Sequence, residues 1–350
     1  MSRAPRRALC QGPDAIDSEV SKTPMELLKS SSYPEQGPAV YSVKHNPFET
    51  LYVDLTYKCN MTCQYCYNPV RTLPDLDVEY FRQVVEQLPR TTLIRLLGGE
   101  PTLHPRFFEF LQIAREHRHL VSIVTNGKTL SRPSFAQKLR DQKIPMVIGM
   151  SLDGGRHRED WYQEINNEAC GKFKLAALEN LAQVGFKRLC LSAIIVRNLN
   201  EDVIPDLISL CREYKGVVRY LHFRTAAPLG RWNKKYGLPY TAPELKNLLT
   251  SYIGEQPVLK PQRLIRDGSQ ATDGHGSPLP RHEEGFPERV CRSCCYEFWL
   301  DGHLQIGLIE FGSQRASMCW RRGKLMRDFT VQPFFENMNY FSQQVALGRD

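Results

Sequence analysis

Leu51-Tyr52-Val53-Asp54-Leu55-Thr56 runs straight into Tyr57-Lys58-Cys59-Asn60-Met61-Thr62-Cys63-Gln64-Tyr65-Cys66. The first six residues have the length and apolar content of a strand. The loop after them holds three cysteines. Three thiolates this close together can wrap one corner of an iron–sulfur cluster, whose usual protein ligands are cysteines. A four-iron cluster held by three cysteines keeps one iron without a protein ligand, and open coordination marks a reactive metal rather than a structural one. Half of a zinc knot is the competing reading. It needs a fourth Cys or His nearby, and neither occurs from residue 70 to residue 103.

Five more strand-length runs follow, at 93–97, 121–124, 146–151, 188–196 and 217–223, with helical patterns at 77–88, 105–116, 172–184 and 202–214. The first helix has apolar Val78, Phe81, Val84, Val85 and Leu88 on one face behind Asp77, a good N-cap. Strands joined by helices are expected to lie parallel, with right-handed crossovers. Six such units are too few for a full eight-fold barrel. The expected fold is therefore α/β, a partial (β/α)6 barrel of the TIM type over 49–232. An irregular N-terminal arm (1–48) precedes it. A helical and loop linker (233–290), rich in Gly and Pro after residue 260, leads to a small cysteine-containing extension (291–350). Within the extension a hairpin is expected over 297–300 and 304–308, around Asp301-Gly302. The last twenty residues read as a short helical tail.

The other strand ends carry motifs too: Leu97-Gly98-Gly99-Glu100-Pro101, Thr125-Asn126-Gly127 and Ser151-Leu152-Asp153-Gly154. Each alone is an ordinary bend or turn former. In a parallel barrel, however, the loops after the strands all open onto one face, so these motifs converge with the cysteine loop.

Composition narrows the classes further. Lys and Arg total 46 against 38 Asp and Glu, a surplus of +8. The basic residues are scattered, with no aromatic-interleaved stripe of the kind that binds nucleic acid. The longest apolar runs, such as Ala193-Ile194-Ile195-Val196, are too short for a bilayer. No apolar stretch follows the basic N-terminus, so a cytoplasmic location is expected, away from membranes. Eleven cysteines, an odd number, fit a disulfide framework poorly. Cys10, Cys170, Cys190 and Cys211 stand alone and read as small buried or incidental thiols.

Together these motifs resemble those of radical S-adenosylmethionine (SAM) enzymes, and the likeness spans roughly residues 51 to 230. The resemblance implies a [4Fe–4S] cluster on Cys59, Cys63 and Cys66, with SAM chelated by the open iron. It further implies that one electron cleaves the sulfonium to give a 5′-deoxyadenosyl radical that takes hydrogen from substrate. By the same likeness Tyr65 lies beside the adenine. Gly98, Gly99 and Glu100 receive the methionine ammonium, and Thr125, Asn126 and Ser151 line the ribose and carboxylate. Arg224, followed by Pro228 and Gly230-Arg231, resembles the basic strand-six segment of the molybdenum-cofactor cyclase branch. It is expected to meet the SAM carboxylate or an anionic substrate, with an ordinary strand-end arginine as the alternative. A flavodoxin- or ferredoxin-type reductant is the implied partner. The substrate is expected to be a small natural-product or cofactor precursor, with a peptide as the alternative. The sequence assigns no residue to the chemistry on the substrate. A nucleic-acid-binding iron–sulfur or zinc protein, and a protein using SAM only as a methyl donor, are the rival classes.

Cys291-Arg292-Ser293-Cys294-Cys295, the hairpin and Cys319 resemble a shortened auxiliary-cluster extension of the twitch or SPASM kind. No cysteine follows in Gln305-Ile306-Gly307-Leu308, so a complete SPASM domain is not expected. Three readings stay open: a second cluster on Cys291, Cys294, Cys295 and Cys319, a zinc ion on the same four, or a hairpin without metal. Neighbours on a strand face opposite ways, so only one of Cys294 and Cys295 is expected to be a ligand unless the segment turns tightly.

Overall fold

The computed structural model describes residues 40–66, 68, 71–226, 230–232, 234–254, 258–259, 294–309 and 318–335. In chain order its elements are β1 (Tyr41–Ser42), β2 (Thr50–Thr56), α1 (Val78–Gln87), β3 (Leu93–Gly98), α2 (Phe107–Glu116), β4 (Val121–Thr125), α3 (Pro133–Asp141) and β5 (Met146–Ser151). Then come α4 (Glu159–Asn166), α5 (Gly171–Gln183), β6 (Leu189–Ile195), α6 (Val203–Glu213), β7 (Val218–Thr225), α7 (Ala242–Ile253) and β8 (Val258–Leu259). The last strands are β9 (Cys294–Leu300), β10 (Leu304–Ile309), β11 (Met318–Leu325) and β12 (Thr330–Phe335).

The six expected strands all form, and β2 to β7 lie side by side in sequence order, every neighbour parallel. Asp77 caps α1 as expected, its carboxylate accepting from Tyr80 N–H at 2.8 Å. The sheet is open, so the architecture is a partial barrel.

Strand periodicity sorts the side chains onto two unlike faces. One face (Leu51, Val53, Leu55, Ile94, Leu96, Ile148) is almost wholly buried against helix residues such as Phe81, Phe110, Leu178 and Ile204. The other carries Tyr52, Asp54, Arg95, Ser122, Cys190, His222 and Arg224 together with Leu97, Val124, Val147 and Ile194, and on it Arg95 donates to Tyr52 OH and Cys190 meets His222 Nδ1. A closed barrel fills that interior with branched aliphatics. Here polar groups share it.

The C-terminal segment departs from the expectation of a small appended hairpin. The β9–β10 hairpin does form, turning through Asp301 and Gly302 at φ of +52° and +65°. It is also built into the barrel sheet, because β10 lies parallel along β7. β11 lies parallel along β2 at the other edge, tied by the Lys324–Asp54 ion pair, and β12 returns antiparallel beside it. The full order is β1-β12-β11-β2-β3-β4-β5-β6-β7-β10-β9-β8. A parallel core has unpaired N–H and C=O groups along both edges, and the added strands pair with β7 along Tyr220–Arg224 and with β2 along Thr50–Tyr52.

Two further readings need correction. Thr330–Phe335 is a strand rather than the start of a helical tail. β-Prone Thr330 and Val331 pair there with Ser42 and Tyr41, which belong to the segment expected to be an irregular arm. Val43 and Phe48 are buried in the main core. Among the described residues, no helix is long and apolar enough to cross a membrane.

Candidate functional site

The motifs quoted above meet along the C-terminal rim of β2 to β6. Gly98 and Gly99 carry the chain from β3 across the stem of the cysteine loop. Gly99 N–H donates to Thr56 O at 2.7 Å and Glu100 N–H to Lys58 O at 2.8 Å. A Cβ would lie 2.1 Å from Thr56 O at Gly98, whose φ is +135°, and 2.3 Å from Lys58 O at Gly99. The close approach these glycines allow is therefore to the protein's own backbone, directly before Cys59.

Glu100 is 1% exposed and braces this arrangement. Its Oε1 accepts from the hydroxyls of Thr102 at 2.6 Å and Thr125 at 2.7 Å, and Oε2 accepts from Asn126 N–H at 2.7 Å. Burial pushes the carboxyl pKa up, and these hydrogen bonds work against that rise. Asn126 extends the network to the cysteine loop, donating from Nδ2 to Asn60 Oδ1 at 2.8 Å and to Cys59 Sγ at 3.8 Å.

Each of the three thiols faces an N–H donor. Besides Asn126 on Cys59, Asn166 Nδ2 donates to Cys63 Sγ at 3.3 Å and Arg71 Nη2 to Cys66 Sγ at 3.4 Å. Burial pushes Cys63 up to about 12, opposed by the Asn166 hydrogen bond and the charge of Lys174, and burial also raises Cys59. Bound iron reverses such logic, because a coordinating thiol is deprotonated outright. Donors aimed at sulfur suit thiolates that carry a cluster's negative charge. Among the described residues, no group of three or more His, Cys, Asp or Glu side chains is gathered for a single metal ion.

Several participants were not singled out by sequence. Lys174, 1% exposed on α5, donates from Nζ to Asn126 O at 2.9 Å, Ser151 O at 3.0 Å and Ser151 Oγ at 2.9 Å. It thus ties together two of the predicted SAM-site residues. Its signal in the sequence was a lysine three, four and seven residues before Ala177, Leu178 and Leu181, on an apolar stripe. Asp153, quoted above only as part of a strand-end motif, accepts from Tyr65 OH at 2.7 Å and from Ile194 N–H at 2.9 Å. Burial and the Asp153 charge hold the Tyr65 phenol well above its ordinary value. Asn166 and Arg71 carry no motif at all.

Arg224 lies on β7 opposite Ile194, whose N–H donates to Asp153. The titratable groups that act on it include Cys190, Arg95, Tyr52 and Arg322, on the inner face. The second cysteine group is divided. Cys291 lies outside the described residues. Cys294 and Cys295 begin β9, where Cys294 pairs with Ile309, opposite the C-terminal end of β7. Cys319 lies in β11, three residues before Arg322, which pairs with Thr50 at the N-terminal end of β2. The backbone thus sets Cys319 and the Cys294–Cys295 pair at opposite ends of the strands. Cys170, Cys190 and Cys211 are buried single thiols, as expected.

The radical SAM superfamily matches residues 53–211. The chain carries a radical SAM domain. That domain spans β2 to α6 and includes every rim residue described above, and it implies a [4Fe–4S] cluster and SAM as cofactors. The match ends before the C-terminal cysteines. Among curated relatives, mycofactocin maturase MftC of Mycolicibacterium smegmatis is 30% identical over 186 residues, 51% of this chain and 44% of MftC. The 7,8-dihydro-6-hydroxymethylpterin dimethyltransferase of Methanocaldococcus jannaschii is 27% identical over 191 residues, 52% of this chain and 37% of the relative. The chain thus spans less than half the length of these two relatives. A GTP 3′,8-cyclase of Syntrophomonas wolfei is 26% identical over 279 residues, covering 70% of this chain and 80% of that enzyme. In fold, the chain is similar to Streptococcus suis SuiB, solved bound to precursor peptide SuiA, with a TM-score of 0.51 and 18% identity over 61% of this chain and 47% of SuiB.

Proposed function

We propose that this protein reductively cleaves SAM at the cysteine rim and uses the resulting radical to take hydrogen from a small-molecule substrate. The observation that carries the reading is the set of three free thiols in one loop, each facing an N–H donor. Cys59, Cys63 and Cys66 would hold the cluster. With SAM it supplies the one-electron cleavage of the sulfonium, and a flavodoxin- or ferredoxin-type protein supplies the electron.

The chain's own residues do the rest. Glu100 and Asn126 hold the Gly98–Gly99 turn and the cysteine loop in one register. The acceptor capacity left on Glu100 Oε2, with nearby carbonyls, suits the methionine ammonium. Lys174 fixes Asn126 and Ser151, the residues assigned to ribose and carboxylate. Asp153 fixes the Tyr65 ring, which packs against an apolar cluster of Trp161, Ile165, Val196, Ala226 and Tyr236 that limits water there. The polar groups on the inner face favour a small polar substrate. Likeness to MftC, named a maturase, favours a peptide instead.

The test is anaerobic incubation of the iron-reconstituted protein with SAM and dithionite. Release of 5′-deoxyadenosine supports the proposal. S-adenosylhomocysteine as the sole product would make the protein a methyl donor's host, and no SAM turnover with full iron content would favour a binding protein.

A further inference from the structure

The end of the sheet opposite the cysteine rim carries chemistry that SAM cleavage leaves unused. Five loops run there from a helix end into the next strand, at 88–92, 117–120, 142–145, 184–188 and 214–217, and lead into β3, β4, β5, β6 and β7. They hold Arg90, Arg118, Lys143, Lys187, Arg188 and Lys215, all exposed, and no Asp or Glu. These cations are scattered in sequence because each loop contributes only one or two. In a parallel sheet every helix-to-strand loop gathers at the N-terminal ends of the strands.

Backbone and side-chain bonds tie neighbouring loops together. Ile94 N–H donates to Leu120 O at 2.9 Å, Ile148 N–H to Arg188 O at 3.1 Å and Leu189 N–H to Val217 O at 3.0 Å. Arg115 Nη1 donates to Gln142 O at 3.1 Å, and Arg140 Nε to Val184 O at 3.1 Å. Five adjacent strands spaced by about 4.8 Å therefore set the six loop cations along an arc of about 20 Å.

Cations near helix C-termini ordinarily answer the carbonyls there. Arg115 and Arg140 act in that way, through the bonds just given. Among the described residues, none of the six loop cations has an ion pair. The acids at the helix ends do not offset them. Glu116 is held by Arg82 and Glu213 by Arg156, while Glu86, Asp141 and Glu179 are matched in number by Arg115, Lys138 and Arg140. Glu49, ahead of β2, adds one carboxylate at the margin.

Leu120 lies within the arc, between the loops of Arg90 and Lys143, and is 53% exposed. An apolar side chain flanked by like charges is laid out as a protein interface for a partner of opposite charge. Nucleic acid fits less well, because none of the five loops exposes an aromatic ring on which a base could stack. A bilayer fits less well too, since Leu120 is the one large apolar side chain exposed in these loops.

We infer that this basic arc is a docking surface for a protein with a carboxylate-rich face. Strands about 20 Å long separate it from the cysteine loop. A partner bound there leaves the rim open during turnover. It is also distinct from the electron donor, which has to approach the cluster.

Fluorescence anisotropy with labelled poly-L-glutamate tests the docking surface on the iron-reconstituted full-length protein at about 150 mM salt. The wild type is expected to bind, with affinity falling as salt rises. Lys187→Glu with Arg188→Glu, and separately Arg118→Glu with Lys143→Glu, should each weaken binding about tenfold or more. The glutamine versions of the same pairs should lose less, and they keep the test open if a charge-reversed protein folds poorly. Arg106→Glu with Arg132→Glu makes the same change in charge at the opposite ends of α2 and α3, and should bind like the wild type. The inference is overturned if poly-L-glutamate does not bind, if the folded loop variants bind as tightly as the wild type, or if the Arg106 and Arg132 pair loses as much. Tighter binding of a double-stranded RNA or of phosphatidylserine vesicles overturns the assignment to an acidic protein. None of these measurements uses SAM, so the outcome stands apart from that of the radical reading.

Discussion

Cys59, Cys63 and Cys66 share one loop at the end of β2, whereas Cys294 and Cys295 begin β9 on one flank of the sheet and Cys319 lies in β11 on the other. In sequence both groups are cysteines at short spacing beside a strand. In space they differ because the first group has a scaffold of its own. Its stem is clamped by the Gly98–Glu100 turn, and its sulfurs meet donors from the loop after β4, from α4 and from Arg71. The second group depends on where two separate edge strands happen to dock, and these docks fall at opposite ends of the sheet. In this chain the convergent donor set is the one that a single loop carries.

The sharpest way to break this contrast is Cys63→Ala. Loss of one of three thiolates is expected to remove the rim cluster and bring SAM cleavage to background, read by iron analysis and 5′-deoxyadenosine release. Retained cleavage would place the chemistry elsewhere. Glu100→Ala comes next. It strips acceptors from Thr102, Thr125 and Asn126 in a buried place, so unfolding by denaturant should show a loss of about 2–4 kcal/mol. SAM affinity should fall about tenfold or more with it. Unchanged stability would mean that the brace is not carried by this carboxylate.

The pH dependence of the iron-free protein is a finer probe. The Cys63 thiol rises from its ordinary 9.0 to about 12 in the fold. Between those values the folded protein keeps a proton that the unfolded chain has lost. The stability owed to this thiol is therefore fully present below pH 9 and falls as pH rises towards 12, by about 1 kcal/mol per pH unit. Cys170 and Cys190, each raised to about 11, tilt the curve the same way. The measurement is thus the difference between iron-free wild type and iron-free Cys63→Ala, and equal slopes would refute the assignment.

A smaller effect is expected at Lys174. Its ammonium is buried beside Cys63, and a cation there favours the more negative, reduced cluster. Lys174→Met should lower the cluster potential by tens of millivolts in a redox titration followed by electron paramagnetic resonance, and Lys174→Arg should restore most of it. An unmoved potential would reduce Lys174 to a purely structural tie. The smallest effect belongs to Cys319→Ala, for which iron content should not change. Loss of about half the iron would show that β11 brings its cysteine to a second cluster after all.

Most of the barrel was legible because its signals are local. β2 to β7 announce themselves by short apolar runs, and α1 by its Asp77 cap. The rim was legible as a list of strand ends. What could not be read was the use made of them, since Glu100 and Thr125 spend their oxygens on each other and on Asn126. Lys174 hid inside a helical pattern, and Asn166 and Arg71 reach sulfur only through tertiary folding. The fate of β11 and β12 was illegible for a related reason. A parallel edge gives no sign in its own sequence of which distant segment will complete it.

That edge completion has a consequence for how the protein is made. The strands flanking β2 and β7 come from the final stretch of chain, after residue 294. During synthesis the parallel core therefore emerges with both borders bare, and it stays so until the last hairpins leave the ribosome. Bare parallel borders are templates for pairing with another chain, and closing them late requires contacts across most of the sequence. A fragment stopped at the end of the matched domain, residue 211, would keep the whole cysteine rim and yet lack β7 and both border strands. Such a fragment is expected to be the most aggregation-prone form of this protein.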